Sequence, residues 1–428
     1  MSLFPPPARP QFDIGHGEMT PDPVIMRTGR TPASVYTSDE RFDYERQLFG
    51  EVWLYAGRVE RIPKSGDWFV RNVDVRQVSA IVVRGKDGQV RAFHNICSHR
   101  GMKLAWNESG QGGKFSCPYH GWLFDAEGKL ANLPNQDCFP DVDTSANGLQ
   151  PIACDTWEGF IFINLSGHPR QTLREFLGPL AARLGDAPFG DYPLTATISQ
   201  NVDANWKMGM EAASEGYHVQ ALHKKSVGRM LATPENPHVN FLDWEPLGPH
   251  RKGTVPGNPE FAISPHRPMQ LFAFMGADQF LPGAEGQVDK PKAGFFTHPD
   301  VNRIGSNLTV NEQYTLFPNF SIHLSLSGWW TTSYWPLDKR RAYWETTYYY
   351  RKPQSHREMF ARHYGLALQR DIFTEDNSCF QKQQWVLESG ALPAVHFGEN
   401  EILLRHLNAV ITTAYDASRE EASLLAAD

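Results

Sequence analysis

Residues 95–124 read NICSHRGMKLAWNESGQGGKFSCPYHGWLF and place two Cys/His pairs in one short stretch. Cys97 and His99 form a C-x-H pair, and Cys117 and His120 form a C-x-x-H pair after the intervening residues 100–116. Each pair lies at the end of a short β-rich run, at 90–93 and 122–124. Two loops therefore each present one thiol and one imidazole, which together are four metal-ligand donors.

This donor set is the one that a Rieske [2Fe–2S] cluster requires, with two thiolates on one iron and two imidazoles on the other. Zinc accepts the same ligand types and is the alternative. In a zinc finger, however, one half of the site supplies both cysteines and the other half both histidines, whereas each loop here supplies one of each. The spacing favours the iron–sulfur cluster.

The stretches CSHRGMKL (97–104), CPYHGWLFDAEGKL (117–130) and WEGFIFINL (157–165) resemble the cluster domain of the Rieske non-haem iron ring-hydroxylating oxygenases, large (α) subunit. Respiratory Rieske proteins carry an extra cysteine in each loop, where this chain has Met102 and Tyr119. The resemblance implies a second, mononuclear Fe(II) that uses O₂ and electrons delivered by the cluster.

Two further histidines, His218 and His223, follow a helical pattern over residues 205–213. Five helical steps of about 100° leave side chains roughly 140° apart. The two imidazoles can therefore bind one metal only if the helix breaks or widens near Val219–Leu222, as helices at functional sites often do. Non-haem Fe(II) oxygenases take two histidines and one carboxylate as ligands.

The third ligand is expected on a C-terminal helix that carries Asp371, Glu375 and Asp376. In the family that the chain resembles, this ligand precedes a Gln-containing stretch. Asp376, with 381–384 behind it, fits best, while Asp371 and Glu375 stay open as alternatives.

The resemblance also gives a role to Glu215, three residues before His218. Members of the family usually have Asp there, and it bridges a cluster histidine of one subunit and an iron-ligand histidine of the next. An exposed helix carboxylate is the alternative for Glu215.

The resemblance implies a head-to-tail homotrimer, or an α₃β₃ assembly if a small subunit exists. Glu211 stands where the family often has Asn, a departure to which the sequence assigns no role.

The expected fold class is α+β: a small all-β Rieske [2Fe–2S] domain and a larger catalytic domain with an antiparallel sheet and flanking helices. The predicted boundaries are 1–44 for an extended N-terminal arm packing on the catalytic domain, 45–165 for the cluster domain and 166–428 for the mononuclear iron domain. Strands are expected over 314–317, 329–335 and 343–351. A capping box, Ser355-x-x-Glu358, predicts a long helix to about residue 384.

Composition excludes several other classes of protein. With 41 Lys+Arg against 48 Asp+Glu the net charge is −7, which disfavours a uniformly basic nucleic-acid binder. Apolar runs are too short for a transmembrane helix, and the first residues, MSLFPPPARP, lack the pattern of a secretory signal, so a cytoplasmic location is expected.

No G-x-G-x-x-G motif follows a strand. NAD(P)H should therefore bind a separate reductase, with a ferredoxin possible between the two proteins.

The expected function is that of a terminal oxygenase, which uses O₂ and electrons from that reductase to mono- or dihydroxylate an apolar, aromatic or polycyclic substrate in aromatic hydrocarbon catabolism. Residues 269–275, 317–320 and 329–330 offer apolar and aromatic walls for the substrate pocket. An oxidative O- or N-demethylase of the same class is the first alternative. A Rieske one-electron carrier without a working mononuclear iron, and a zinc-stabilised binding protein, are alternatives from other classes.

Overall fold

The computed structural model describes residues 26, 28–275, 294–326 and 328–425. Contacts divide the chain into two compact units. The smaller unit is Asp43–Phe176, and the larger one joins the residues up to Phe42 to those from Leu177 onward. Residues 1–25 and 27 of the predicted N-terminal arm lie outside the described residues.

The strands, in chain order, are β1 (Gly29–Pro32), β2 (Leu54–Arg58), β3 (Trp68–Val73), β4 (Val78–Arg84), β5 (Val90–His94), β6 (Ser109–Gly110), β7 (Lys114–Ser116), β8 (Leu123–Asp125), β9 (Leu130–Asn132), β10 (Pro151–Trp157), β11 (Phe160–Asn164), β12 (Leu194–Val202), β13 (Asp243–Leu247), β14 (His250–Pro256), β15 (Thr309–Leu316), β16 (Phe320–Ser325), β17 (Trp329–Asp338), β18 (Arg341–Tyr350) and β19 (Ala394–Phe397). The α-helices are α1 (Ser34–Thr37), α2 (Asp39–Glu51), α3 (Leu173–Leu177), α4 (Trp206–Ala212), α5 (Val219–Leu222), α6 (Gly228–Leu231), α7 (Pro268–Met275), α8 (His356–Leu387) and α9 (Ile402–Leu425).

The smaller unit is built from two antiparallel sheets, as the all-β prediction requires. One sheet has the order β2-β11-β10-β5-β4-β3-β6, and the other is the short meander β7-β8-β9. Residues 80–83 of β4 are all buried, and this run of apolar, largely β-branched side chains suits a central strand. The first cluster loop follows β5, and the second connects β7 to β8.

The larger unit contains a seven-stranded antiparallel sheet of order β12-β18-β17-β16-β15-β14-β13. Helix α8 packs on one face of this sheet, where the Trp344 ring lies 4.9 Å from the Phe373 ring and Tyr334 donates a hydrogen bond to Asn377. The predicted antiparallel sheet with flanking helices is thus confirmed.

The long helix α8 begins at the predicted capping signal. The Ser355 hydroxyl accepts from the Glu358 N–H at 3.2 Å, while the Glu358 carboxylate accepts from the N–H of Gln354 rather than from that of Ser355. The helix continues to Leu387, slightly past the expected end. Its length carries the candidate metal-binding carboxylates across the face of the sheet.

The N-terminal region is more regular than the sequence predicts. Strand β1 pairs with β19, and helix α1 and the first residues of α2 lie within residues 1–44, where an extended arm is expected. Asp39 and Glu40 lie in the first turn of α2, where acidic side chains complement the helix dipole. Among the described helices, none is both long and apolar enough to cross a membrane.

Candidate metal centres

The two cluster loops share one backbone turn. In each loop the cysteine N–H, of Cys97 or Cys117, donates at 2.8 Å to the carbonyl five residues further on. The glycine four residues after each cysteine, Gly101 or Gly121, donates back to the cysteine carbonyl. These glycines have φ of +74° and +75°, a conformation that glycine adopts without steric cost. The repeated turn explains why each loop needs a glycine after its histidine.

The structure places the two predicted cluster thiols beside each other and the two predicted cluster imidazoles beside each other. Cys97 and Cys117 are both buried, and the rings of His99 and His120 lie 4.6 Å apart. Trp122 stacks on His99 at 4.9 Å and so fixes the plane of its imidazole. The His99 Nδ1 is buried with no hydrogen-bond partner among the described residues, as a nitrogen reserved for a metal would be. Two buried thiols beside two imidazoles fit a Rieske cluster.

The charge states of these side chains follow from desolvation. Burial, with Cys117 close by, raises the pKa of the Cys97 thiol, so a bound cation would be needed to stabilise the thiolate. Desolvation and the neighbouring His120 lower the pKa of His99. The imidazole is therefore neutral near pH 7 and can act as a ligand.

Asn95, which the sequence pattern did not single out, shapes the first cluster loop from inside. Its carboxamide oxygen accepts from the N–H groups of Leu104 and Ala105, and its NH₂ donates to the Ala105 carbonyl. Asn95 is buried, so these bonds tie both ends of the loop together. Its place two residues before Cys97 was the available signal.

His218 and His223 flank the single turn α5. The chain leaves α4 at Ala212, crosses residues 213–218 as an irregular segment, and resumes as helix only over Val219–Leu222. The interruption expected near Val219–Leu222 lies on either side of this turn. His223 has non-helical dihedrals (φ −94°, ψ 18°), and the two rings are 5.1 Å apart.

Asp376 on α8 completes a constellation with the two histidines. One ligand atom from each of His218, His223 and Asp376 lies within 4.8 Å of the others. The Asp376 Oδ1 is 3.0 Å from Nε2 of His223 and 3.7 Å from Nε2 of His218. That oxygen is buried and makes no hydrogen bond with the described residues. Two imidazole nitrogens directed at an unbonded carboxylate oxygen fit a bound divalent cation.

The other two candidate carboxylates are placed differently. Glu375 accepts from Nδ1 of His223 at 2.6 Å and from the Ser226 hydroxyl at 2.6 Å. Asp371 is exposed and paired with Arg370. Neither belongs to the constellation of His218, His223 and Asp376.

Both histidines carry a carboxylate on the nitrogen that faces away from Asp376. Glu215 bonds Nδ1 of His218 and also accepts from the His218 N–H, while Glu375 bonds Nδ1 of His223. Burial disfavours protonation of His223, but Asp376 and Glu375 outweigh it and raise its pKa. The negative charge of these two carboxylates, which favours an imidazolium at His223, also favours a metal cation bound there. Outer carboxylates of this kind orient ligand imidazoles and increase their basicity.

Glu211, on α4, is not part of this constellation. Its buried carboxylate accepts from the Tyr36 hydroxyl at 2.8 Å and from the Asn408 amide at 2.7 Å. Burial raises the pKa of Glu211 to about 7, although these bonds and the nearby Lys207 and Arg251 oppose the rise. Glu211 therefore connects the N-terminal segment to α9.

A cavity of about 170 Å³ lies in the larger unit. Ile372, one helical turn before Asp376 on α8, lines it together with Val227, so the cavity lies near the candidate iron site, although His218, His223 and Asp376 are not among its described lining residues. Of the predicted pocket walls, Trp329 and Trp330 line the cavity. Residues 269–275 and 317–320 are not among the described lining residues.

Comparison with known families agrees with this architecture. Residues 189–417 match the family model of the ring-hydroxylating alpha subunit (catalytic domain), and residues 52–148 match that of the Rieske [2Fe-2S] domain. The chain belongs to the ring-hydroxylating alpha-subunit family. Its cofactors are a Rieske [2Fe–2S] cluster and a mononuclear iron.

Individual relatives differ in their substrates. The glycine betaine monooxygenase oxygenase subunit of Chromohalobacter salexigens is 32% identical over 217 residues, which cover 50% of this chain and 48% of the relative. The chlorobenzene dioxygenase subunit alpha of a Cupriavidus species is 30% identical over 70% of this chain and 66% of its own length. The chain thus spans about half the length of the first of these relatives.

Solved structures share the fold. The quaternary ammonium Rieske monooxygenase CntA superposes with a TM-score of 0.69 at 19% identity, covering 91% of this chain and 96% of that one. Naphthalene 1,2-dioxygenase from a Rhodococcus species gives a TM-score of 0.69 at 20% identity, over 90% and 94% of the two chains.

Proposed function

We propose that the protein is the terminal oxygenase of a Rieske non-haem iron system. Cys97, His99, Cys117 and His120 hold the [2Fe–2S] cluster, and His218, His223 and Asp376 hold the mononuclear iron. The observation that carries the proposal is the buried Asp376 Oδ1 facing both Nε2 atoms, while each Nδ1 bonds a carboxylate.

The protein residues prepare this site before any substrate binds. Because Glu215 and Glu375 accept from the two Nδ1–H groups, both Nε2 lone pairs stay free and point toward Asp376. Iron held there would supply O₂ activation, since two histidines and one carboxylate leave other coordination positions open. The nearby cavity would hold the substrate close to those positions.

Glu215 is proposed to couple the two kinds of centre across a subunit boundary. Its carboxylate already bonds the ring and the N–H of His218. An ionised carboxylate has about four lone-pair sites, so one can still accept from a cluster histidine of a neighbouring copy. This role requires the head-to-tail homotrimer, or an α₃β₃ assembly, with a separate reductase and a possible ferredoxin as electron donors.

The proposed reaction is mono- or dihydroxylation of an organic substrate, and aromatic compounds are favoured by the aromatic lining of the cavity. Relatives named for chlorobenzene and anthranilate oxidation support this substrate class. Relatives named for glycine betaine and carnitine support the alternative of oxidative N-demethylation, in which the same hydroxylation occurs on a methyl carbon.

Iron analysis combined with oxygen uptake tests the proposal. Purified protein, reconstituted with a Rieske-type reductase and NADH, should contain about three irons per chain and consume O₂ in proportion to hydroxylated product. Two irons per chain with electron transfer but no product would instead identify a one-electron carrier and contradict the proposal.

A further inference from the structure

The cavity beside the candidate iron site has a polar wall supplied by neighbouring strands. Trp330 on β17 pairs with Tyr348 on β18 and with His323 on β16, and His323 pairs with Gln313 on β15. Asn311 precedes Gln313 by two residues, so it lies on the same face of the sheet. Asn311, Trp330 and Tyr348 all line the cavity.

Each of these three side chains has a buried polar atom without a hydrogen-bond partner among the described residues. The atoms are Oδ1 of Asn311, Nε1 of Trp330 and the hydroxyl of Tyr348. A buried polar atom without a partner costs about 1–3 kcal/mol, and such atoms are rare in folded proteins. Three of them around one cavity indicate groups that meet polar atoms of a ligand.

A chain of hydrogen bonds fixes which end of the Asn311 amide is left unbonded. Ser321 donates to the Thr332 carbonyl at 3.4 Å, which leaves its hydroxyl oxygen able to accept from Nε2–H of His323 at 2.9 Å. Burial lowers the pKa of His323 to about 3, so the ring is neutral and its Nδ1 is an acceptor. The Asn311 NH₂ donates to that Nδ1 at 3.4 Å. Asn311 is thereby held with its oxygen, an acceptor, unbonded.

Size and charge narrow the ligand further. A volume of about 170 Å³ is close to that of cavities of about 150 Å³ that hold benzene. Among the described residues, the lining contains no Asp, Glu, Lys, Arg or His. An ionised ligand would be desolvated there without a counter-charge, which is costly. The Trp330 ring is stacked face to face on the His323 ring at 4.8 Å, so that face of the indole is not available to a ligand.

We propose that this cavity selects uncharged, single-ring substrates that carry a hydroxyl or amine donor, and that Asn311 determines this specificity by accepting the donor's hydrogen bond. The proposal rests on the proposed oxygenase function, because it names the substrate class of that site. It narrows the expectation of an apolar or polycyclic substrate.

Phenol and toluene form a matched pair of probes, since a hydroxyl and a methyl group have similar size. Calorimetric titration of the iron-loaded protein should give tighter binding of phenol than of toluene. Asn311→Leu should reduce the phenol-to-toluene affinity ratio by up to about tenfold, because one net hydrogen bond is lost.

The control is Asn240→Leu, since Asn240 also has a buried, unbonded Oδ1 but does not line the cavity. It should leave the ratio unchanged, and thermal melting should show that all variants are folded. An unchanged ratio in folded Asn311→Leu, or tighter binding of glycine betaine than of phenol, would overturn the proposal. Oxygen uptake is measured separately: a protein that prefers phenol through Asn311 but never consumes O₂ would refute the oxygenase function alone.

Discussion

Glu375 and Asp376 are neighbours in sequence but meet opposite nitrogens of the same imidazole. A helix turns about 100° per residue, so adjacent side chains on α8 diverge enough to reach the two sides of His223. Asp376 lies 3.0 Å from Nε2, and Glu375 lies 2.6 Å from Nδ1. One carboxylate is positioned to hold a metal and the other to orient the ligand.

This division predicts graded effects of substitution on iron retention. Asp376→Asn should abolish binding of the mononuclear iron. Glu375→Gln should weaken it by about 10–100-fold, because the His223 ring loses the partner that fixes its tautomer. Iron content after dialysis against a graded series of chelator concentrations gives the measurement. Asp371→Asn, on the exposed face of α8, is the matched control. Equal losses of iron from Glu375→Gln and Asp371→Asn would contradict the role of Glu375 in orienting His223.

Glu211 makes stability depend on pH in a defined direction. Its pKa of about 7 in the folded chain, raised by burial, lies above the ordinary 4.5, so the folded state holds the proton more tightly. The stability from this group is complete below pH 4.5 and is lost as the pH rises to about 7, by up to about 3 kcal/mol.

Glu211→Gln should therefore melt closer to, or above, the wild type as the pH is raised from about 5 to about 8. The carboxamide cannot ionise, so it escapes the cost of a buried charge beside Tyr36 and Asn408. Melting temperatures of both proteins across this range provide the measurement. A constant difference between the two curves would mean that Glu211 does not titrate in this window.

At the scale of elements, helix α4 sets the position of β17 against α8. Gly209 of α4 lies against the Tyr334 ring, and a Cβ there would come within 2.3 Å of it. Tyr334 in turn donates to Asn377, the residue after Asp376. The close approach of α4 to the sheet is thus linked to the segment that carries the candidate iron ligand.

Gly209→Ala should destabilise the protein even though alanine favours helix more than glycine does by about 1 kcal/mol. The added methyl group must displace Tyr334, and overpacking of this kind costs about 1–3 kcal/mol. We expect a lower melting temperature together with weaker iron retention. Gly185→Ala, where a Cβ meets nothing within 4 Å, is the control. A variant as stable as the wild type would show that α4 can shift freely.

At the scale of the whole molecule, the chain forms two compact units with one candidate centre in each. The cluster ligands lie within Asp43–Phe176, and His218, His223 and Asp376 lie in the unit that includes the residues from Leu177 onward. Each centre is completed by residues of its own unit, so loading of one should not require the other.

His218→Ala should abolish turnover and retain the visible spectrum of the cluster, whereas Cys117→Ala should lose the cluster and retain the iron-binding histidines. If electrons pass between subunits of a trimer, co-expression of the two variants should restore part of the activity, since some interfaces join an intact cluster to an intact iron site. Wild-type co-expressed with His218→Ala calibrates the assay. Absence of any restoration in mixed oligomers would contradict transfer between subunits.

The sequence by itself determined the local features of this protein. Cysteine and histidine spacing predicted the cluster loops, because each loop carries one thiol and one imidazole within four residues of chain. Alternation of β-rich runs and the Ser355 capping signal identified the strands and α8, because both depend on neighbouring residues. Helices α1 and α2 were not predicted from the sequence, and α1 packs against α8, which is distant in sequence.

Only the tertiary structure decided which carboxylate meets the histidines and what surrounds them. Asp376 joins His218 and His223 across more than 150 positions of sequence, and the sequence favoured it over Glu375 only through the family resemblance. The polar wall of the cavity likewise depends on the register of four strands, which brings Asn311, His323 and Trp330 side by side. Contacts between residues distant in sequence depend on how whole elements pack, and the packing exists only in the folded chain.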